Sequence, residues 1–175
     1  MSATFEPIVG RYMNLDLLGK PHRLYVEEAG AGTPLLCLHT AGSDGRQYRG
    51  LMNDARVTAK HRVIAFDMPW HGKSSPPAGW HEEEYQLTSA QYMQMILEVM
   101  SALGLDRPIL IGCSIGGRIC LHLALEHPER FRAPRSKAIR PLRHVTKKRR
   151  AGPWAAPLDA AGTLLNSRAN GQLYT

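Results

Sequence analysis

Three short runs of almost purely apolar residues constrain the fold of this chain most. Pro34-Leu35-Leu36-Cys37-Leu38, Val63-Ile64-Ala65-Phe66 and Pro108-Ile109-Leu110-Ile111-Gly112-Cys113 contain no charged side chain. A strand covered on one face alternates apolar and polar residues, whereas a strand covered on both faces reads as a continuous apolar run. Each run is separated from the next by a segment long enough for the crossover helix that parallel neighbours require. The pattern predicts an α/β domain with a mostly parallel sheet flanked by helices. Ahead of it, partial alternation over 12–18 and 22–28, with Gly19, Lys20 and Pro21 between, predicts an antiparallel hairpin.

Helices are expected where apolar residues recur at three and four. Met93, Ile96, Leu97, Met100 and Leu103 predict a helix over 88–103, with Thr88 and Gln91 placed to cap it reciprocally and Gly104 to end it. Ile115, Ile119 and Leu123 predict a second over 115–126, with Pro128 just beyond. A fainter pattern predicts a helix over 47–59.

The charge is divided along the chain. Of 22 Lys and Arg, 9 lie after residue 132, accompanied there by only one of the 15 Asp and Glu, Asp159. The basic character that would raise nucleic acid as a partner therefore belongs to 133–175 alone. Apart from Trp154 that segment has no aromatics interleaved with its basic run, Lys147-Lys148-Arg149-Arg150, which argues against nucleic acid. No apolar run approaches the roughly 18 residues of a membrane span, and no basic region followed by an apolar stretch opens the chain, so a soluble cytoplasmic protein is expected. Cys37, Cys113 and Cys120 are odd in number, lack metal-ligand spacing and are expected to be small buried hydrophobes. Neither a metal nor an organic cofactor is implied, and oligomeric state is not legible.

The residues that carry chemistry stand at the end of the third run. Gly112-Cys113-Ser114-Ile115-Gly116 is a GxSxG motif after a buried strand and before an amphipathic helix, the context in which the motif has mechanical meaning. A serine on so sharp a turn is strained, and the two glycines let backbone pass where a Cβ would collide. Its hydroxyl then projects above the sheet, and the next N–H points from the helix N-terminus at any oxyanion formed there.

Residues 10–132 resemble the N-terminal half of an α/β-hydrolase. Besides the elbow, Leu38-His39-Thr40-Ala41-Gly42 is similar to the family's HG-type oxyanion loop, with Thr40 where the family has Gly. Asp67-Met68-Pro69-Trp70-His71-Gly72-Lys73-Ser74 is similar to its DxPGHGxS loop, with Trp70 in place of Gly, and Leu125-Glu126-His127-Pro128-Glu129-Arg130-Phe131 resembles its helix end before a sixth strand. The resemblance implies acyl transfer through a serine ester on a small-molecule substrate, with esters or related acyl or carbon–carbon bonds cleaved. It implies Ser114 as nucleophile, the N–H groups of Ala41 and Ile115 as oxyanion hole, and Gly112 and Gly116 as elbow glycines. His39, Asp67 and His71 are expected to organise loops.

A serine needs a base that is itself oriented by an acid, which the family supplies in the order Ser, Asp or Glu, His. No triad acid or histidine is identifiable: no histidine follows Asp159, and Glu129 with His144 keeps the order but starts from the wrong end of the sheet. The sequence after Phe131 is too rich in charge and proline for a buried strand, and 135–150 holds eight Lys or Arg and no acid. The chain is therefore expected to comprise 1–132, the N-terminal part of an α/β-hydrolase domain, and 133–175, a disordered basic tail arising from a lost reading frame or serving as a genuine arm. A truncated, weakly active or inactive serine hydrolase is expected, with a noncatalytic ligand-binding or regulatory fragment as the alternative.

Overall fold

The computed structural model describes residues 3–132 except 83 and 85. Expectations for 133–175, including the tail's disorder and any role for His144 or Asp159, lie outside the described residues. In chain order the elements are β1 (Val9–Leu17), β2 (Lys20–Ala29), β3 (Thr33–Leu38), a 3-10 turn (Gly45–Tyr48), α1 (Arg49–Met52) and α2 (Ala55–Thr58). They continue with β4 (His61–Phe66), a 3-10 turn (Trp80–Glu82), α3 (Ser89–Ala102), β5 (Ile109–Gly112), α4 (Ile115–Glu126) and a last 3-10 turn (Pro128–Arg130). They form one sheet in the order β1-β2-β4-β3-β5. β1 and β2 are antiparallel, β2 lies antiparallel on β4, and β4, β3 and β5 run parallel.

The runs at 35–38 and 63–66 behave as doubly covered strands, whereas the third, expected to do so as well, is only half-buried in β5 with Ile111 exposed, because β3 is its single neighbour among the described residues. Leu36, Leu38, Ile64 and Phe66 enter a core with Ile96, Val99 and Met100 of α3 and Ile119 and Leu123 of α4. Their alternates Leu35, Cys37, Val63 and Ala65 enter a second core on the other face, with Tyr48 and Met52. Strand order explains the two layers. The crossover from β3 to β4 moves one way along the sheet and that from β4 to β5 moves back past β3, so right-handed connections place their helices on opposite faces. Such a reversal opens a crevice at the carboxyl ends of the strands.

α3 begins as its sequence requires. The Thr88 hydroxyl takes the Gln91 N–H at 3.2 Å while the Gln91 side chain takes the Thr88 N–H at 2.9 Å, and Gly104 follows at φ +61°. Two local expectations are corrected. The hairpin turns at Leu18 and Gly19, both at positive φ, with Lys20 and Pro21 already in β2. Leu17 pairs with Lys20 across the two-residue loop, so Asp16 and Pro21 form the next, non-hydrogen-bonded pair. Proline's missing N–H therefore faces away from β1, where β4, which reaches only Val26–Ala29, does not extend. The helix expected over 47–59 is broken into the 3-10 turn, α1 and α2, because the Asp54 side chain accepts the Arg56 N–H and starts a new helix.

Cys37 is buried and Cys120 half-buried, and burial pushes their thiols up to about 12 and about 11. Cys113 is exposed, against expectation, because it lies where the chain leaves β5 to turn into the elbow. Among the described residues β5 has a single neighbour, β3, and Ile111, Leu121 and Leu125 stand exposed on β5 and α4. No helix among the described residues is long and apolar enough to cross a membrane.

Candidate active site

Ser114 stands between β5 and α4 at φ 52° and ψ −117°, a conformation that costs a residue with a Cβ about 1–3 kcal/mol. Its side chain makes no capping bond to the helix it precedes and is exposed. A serine serving as a helix cap would spend its oxygen on a backbone N–H of the first turn; this one does not.

Two glycines make the turn sterically feasible. A Cβ on Gly112 would lie 2.3 Å from the Gly116 carbonyl, and one on Gly116 would lie 2.3 Å from the Leu38 carbonyl oxygen. The first turn of α4 is thus pressed against the ends of both β5 and β3. The same Leu38 oxygen accepts the Cys113 N–H at 3.3 Å and the Tyr48 hydroxyl at 2.7 Å. This packing brings the loop after β3 beside the start of α4.

Within that loop Thr40 is fully engaged. Its N–H donates to Gln47 Oε1 at 3.1 Å, and its carbonyl accepts from His39 Nδ1 at 2.8 Å and from the Ser43 N–H at 3.2 Å. Thr40 is not among the positive-φ residues, so a side chain is tolerated where the family has Gly. Trp70, at the other departure, does sit at φ 72° and packs edge-on against Trp80, 5.0 Å between ring centroids. Among the described residues neither the Ala41 N–H nor the Ile115 N–H has an acceptor. Ala41 and Ile115 line one pocket of about 320 Å³ together with His39, Thr40, Met68, His71, Leu87 and Tyr92.

His39 ties the two loops together. Only 2 % exposed, it donates from Nδ1 to the Thr40 carbonyl, and its Nε2 accepts the Met68 N–H at 3.1 Å. Both bonds need the neutral ring, since a protonated Nε2 would meet the amide donor of Met68. Burial, chiefly, holds its imidazolium below the ordinary histidine range. The unfolded chain takes up this proton near pH ~6.5 and the folded chain only at lower pH, so in that interval the unfolded state binds more protons and stability falls as pH falls. The denaturation midpoint should therefore drop between pH 7.5 and 5.5, and less so in His39→Gln. Equal pH slopes for the two proteins would refute the assignment.

Asp67 is an anchor. At 4 % exposure its Oδ1 accepts the Gly45 N–H at 2.7 Å and its Oδ2 the Lys73 N–H at 2.8 Å. His71 bonds through Nδ1 to the Pro69 carbonyl at 2.9 Å, yet it also lines the pocket, as does Tyr92. Sequence reasoning missed both as pocket residues. Tyr92's only signal was its place on the buried face of α3, one residue before Met93.

Glu129 is not brought to this site. The Arg132 N–H donates to the Pro108 carbonyl at 3.2 Å, so the segment after α4 returns to the start of β5, opposite the end that carries Ser114. Glu129 lines a surface cleft there with Asp106 and Arg107. His122 faces Glu126 at 3.6 Å along α4.

The family model for the alpha/beta hydrolase fold matches residues 33–134. Among curated proteins, 2-hydroxymuconate semialdehyde hydrolase of Pseudomonas putida is 31% identical over 127 residues, which cover 73% of this chain and 42% of that protein. Pimeloyl-[acyl-carrier protein] methyl ester esterase of Aeromonas hydrophila is 35% identical over 106 residues, 61% of this chain and 37% of that protein. The chain thus spans about two fifths of the length of these relatives. Among solved structures an epoxide hydrolase from Vigna radiata superposes with a TM-score of 0.60 at 21% identity, over 75% of this chain and 38% of that one, a likeness of fold. The strand order, the elbow at Ser114 and the family match converge on one conclusion: the chain belongs to the α/β hydrolase fold family.

Proposed function

We propose that this chain carries the nucleophile and the oxyanion-binding half of a serine hydrolase that cleaves ester, related acyl or carbon–carbon bonds of a small molecule. The reading rests on one juxtaposition: a strained, exposed Ser114 that caps nothing, beside a pocket whose wall includes Ala41 and Ile115. In it Ser114 Oγ attacks a carbonyl carbon, and the tetrahedral oxyanion is held by the Ala41 and Ile115 N–H groups, worth about 3 kcal/mol per donor in such sites. Gly112 and Gly116 keep the elbow closed. The relatives that carry hydrolase and esterase names support the same chemistry. Residues 1–132 form the hydrolase part in this reading, and 133–175 a separate basic segment.

The proton of Ser114 lacks an acceptor oriented by a carboxylate among the described residues, and 133–175 offer His144 ahead of Asp159, the reverse of the family's order. Slow turnover is therefore expected, no more than about 10³–10⁴-fold over water, from binding and the oxyanion hole alone. The test is p-nitrophenyl acetate hydrolysis by the purified chain and by Ser114→Ala. Slow release that Ser114→Ala abolishes supports the reading, and release unaffected by the substitution removes Ser114 as nucleophile. Fast, Ser114-dependent turnover would instead show a base assembled within this chain. The lack of such an acceptor and carboxylate among the described residues also favours a second reading, noncatalytic ligand binding in the same pocket. A fluorophosphonate that fails to label Ser114 in folded protein would support that one.

A further inference from the structure

Beside the Thr40 and Tyr92 side chains, the pocket next to the elbow has a polar wall group that acyl transfer does not employ, His71. Met68, Leu87 and Ile115 present carbon to it, and His39 has both ring nitrogens committed. His71 differs. Its Nδ1 lies 2.9 Å from the Pro69 carbonyl oxygen, and since a carbonyl only accepts, the neutral ring carries its proton there. Nε2 then keeps a lone pair, and among the described residues no donor reaches it. The ring is held in place by the Pro69 bond and by His39, 5.0 Å away between centroids.

The wall therefore offers a matched set of polar functions on a surface whose remaining polar side chains are those of Thr40, Tyr92 and the committed His39. Two backbone donors, at Ala41 and Ile115, suit a carbonyl oxygen. One fixed acceptor, at His71, suits a donor elsewhere on the same molecule. A volume of about 320 Å³ admits a small organic molecule. We propose that His71 determines specificity in this pocket, selecting small carbonyl compounds whose apolar body carries a hydroxyl or N–H that donates to His71 Nε2. The proposal rests on the reading of Ala41 and Ile115 as carbonyl-binding donors. It adds to that reading a ligand class and a residue that chooses it.

Binding separates this from chemistry. In Ser114→Ala, where no acyl-enzyme forms, the probes are the three hydroxyphenyl methyl ketones and their methyl ethers, which keep the shape and lose the donor. At least one hydroxy isomer should bind about fivefold more tightly than its ether, the scale of one net hydrogen bond. Adding His71→Phe should reduce that preference to less than about twofold without weakening the ether, and His71→Gln, whose amide oxygen accepts, should restore part of it. The His71 Nε2 nitrogen resonance should shift on adding the favoured phenol. A hydroxyl preference that survives His71→Phe, the absence of any preference, or no ketone binding at all would overturn the proposal. Should the preference depend on His71 while ester cleavage ignores Ser114, the hydrolase reading falls and His71 keeps its role; Ser114-dependent cleavage without hydroxyl preference gives the reverse.

Discussion

Gly116→Ala is expected to lower the urea midpoint of unfolding more than any other single change considered for this chain. Its new Cβ would lie 2.3 Å from the Leu38 carbonyl oxygen, 2.8 Å from the Leu38 carbonyl carbon and 2.9 Å from the His39 carbonyl oxygen. All three atoms are backbone, so no flexible side chain can yield. Relief requires α4 to move off the end of β3, which also opens the approach of Gly112 to the Gly116 carbonyl. Overpacking of this kind costs about 3 kcal/mol or more, a large share of the roughly 5–15 kcal/mol that holds a domain together. Gly50→Ala is the control, because it lies in α1 with nothing within 4 Å of its added Cβ. It should change stability by less than about 1 kcal/mol, in the stabilising direction. Urea melts of the two variants decide the matter, and coincident midpoints would show that the elbow tolerates a side chain.

Asp67→Ala should be the next most damaging change. The carboxylate is buried and holds two amides that belong to different loops, Gly45 after β3 and Lys73 after β4. Removing it orphans the buried Gly45 N–H and leaves the Lys73 N–H to find water, a loss of about 2–4 kcal/mol. The Asp67 backbone contacts remain, since the Ser74 hydroxyl donates to its carbonyl at 2.6 Å and its own N–H reaches Tyr25. The loss therefore reports the side chain alone. Asp67→Asn, which keeps one acceptor oxygen but presents an NH2 to the other donor, should fall between wild type and alanine. Denaturant midpoints of the three proteins measure this, and an alanine variant within about 0.5 kcal/mol of wild type would show the anchor to be dispensable.

Much of the frame was legible because its signals are local. The continuous apolar runs at 35–38 and 63–66 are buried on both faces, and the Thr88–Gln91 box starts α3 where the spacing placed it. α4 begins at Ile115, directly after the GxSxG serine. Local signals misled where two of them competed. Pro21 reads as a turn residue, yet in β2 its missing N–H faces a side that β4 does not reach, so the hairpin closes at Leu18 and Gly19. Over 47–59 the periodicity reads as one helix, while Asp54 caps a second start within it.

The sequence by itself determined the α/β class, the elbow and the identity of the residues flanking Ser114, because strand burial, capping and steric room at a tight turn depend on neighbours in the chain. Only the tertiary structure decided that Ala41, His71, Tyr92 and Ile115 share one wall, and that Glu129 stands at the other end of the sheet. The wall draws on the loops after β3 and β4, on α3 and on the elbow after β5. Those segments meet because β3 lies between β4 and β5, an order out of step with the chain. That order is set by which apolar faces cover one another, a property of the whole packed sheet that no local stretch of residues encodes.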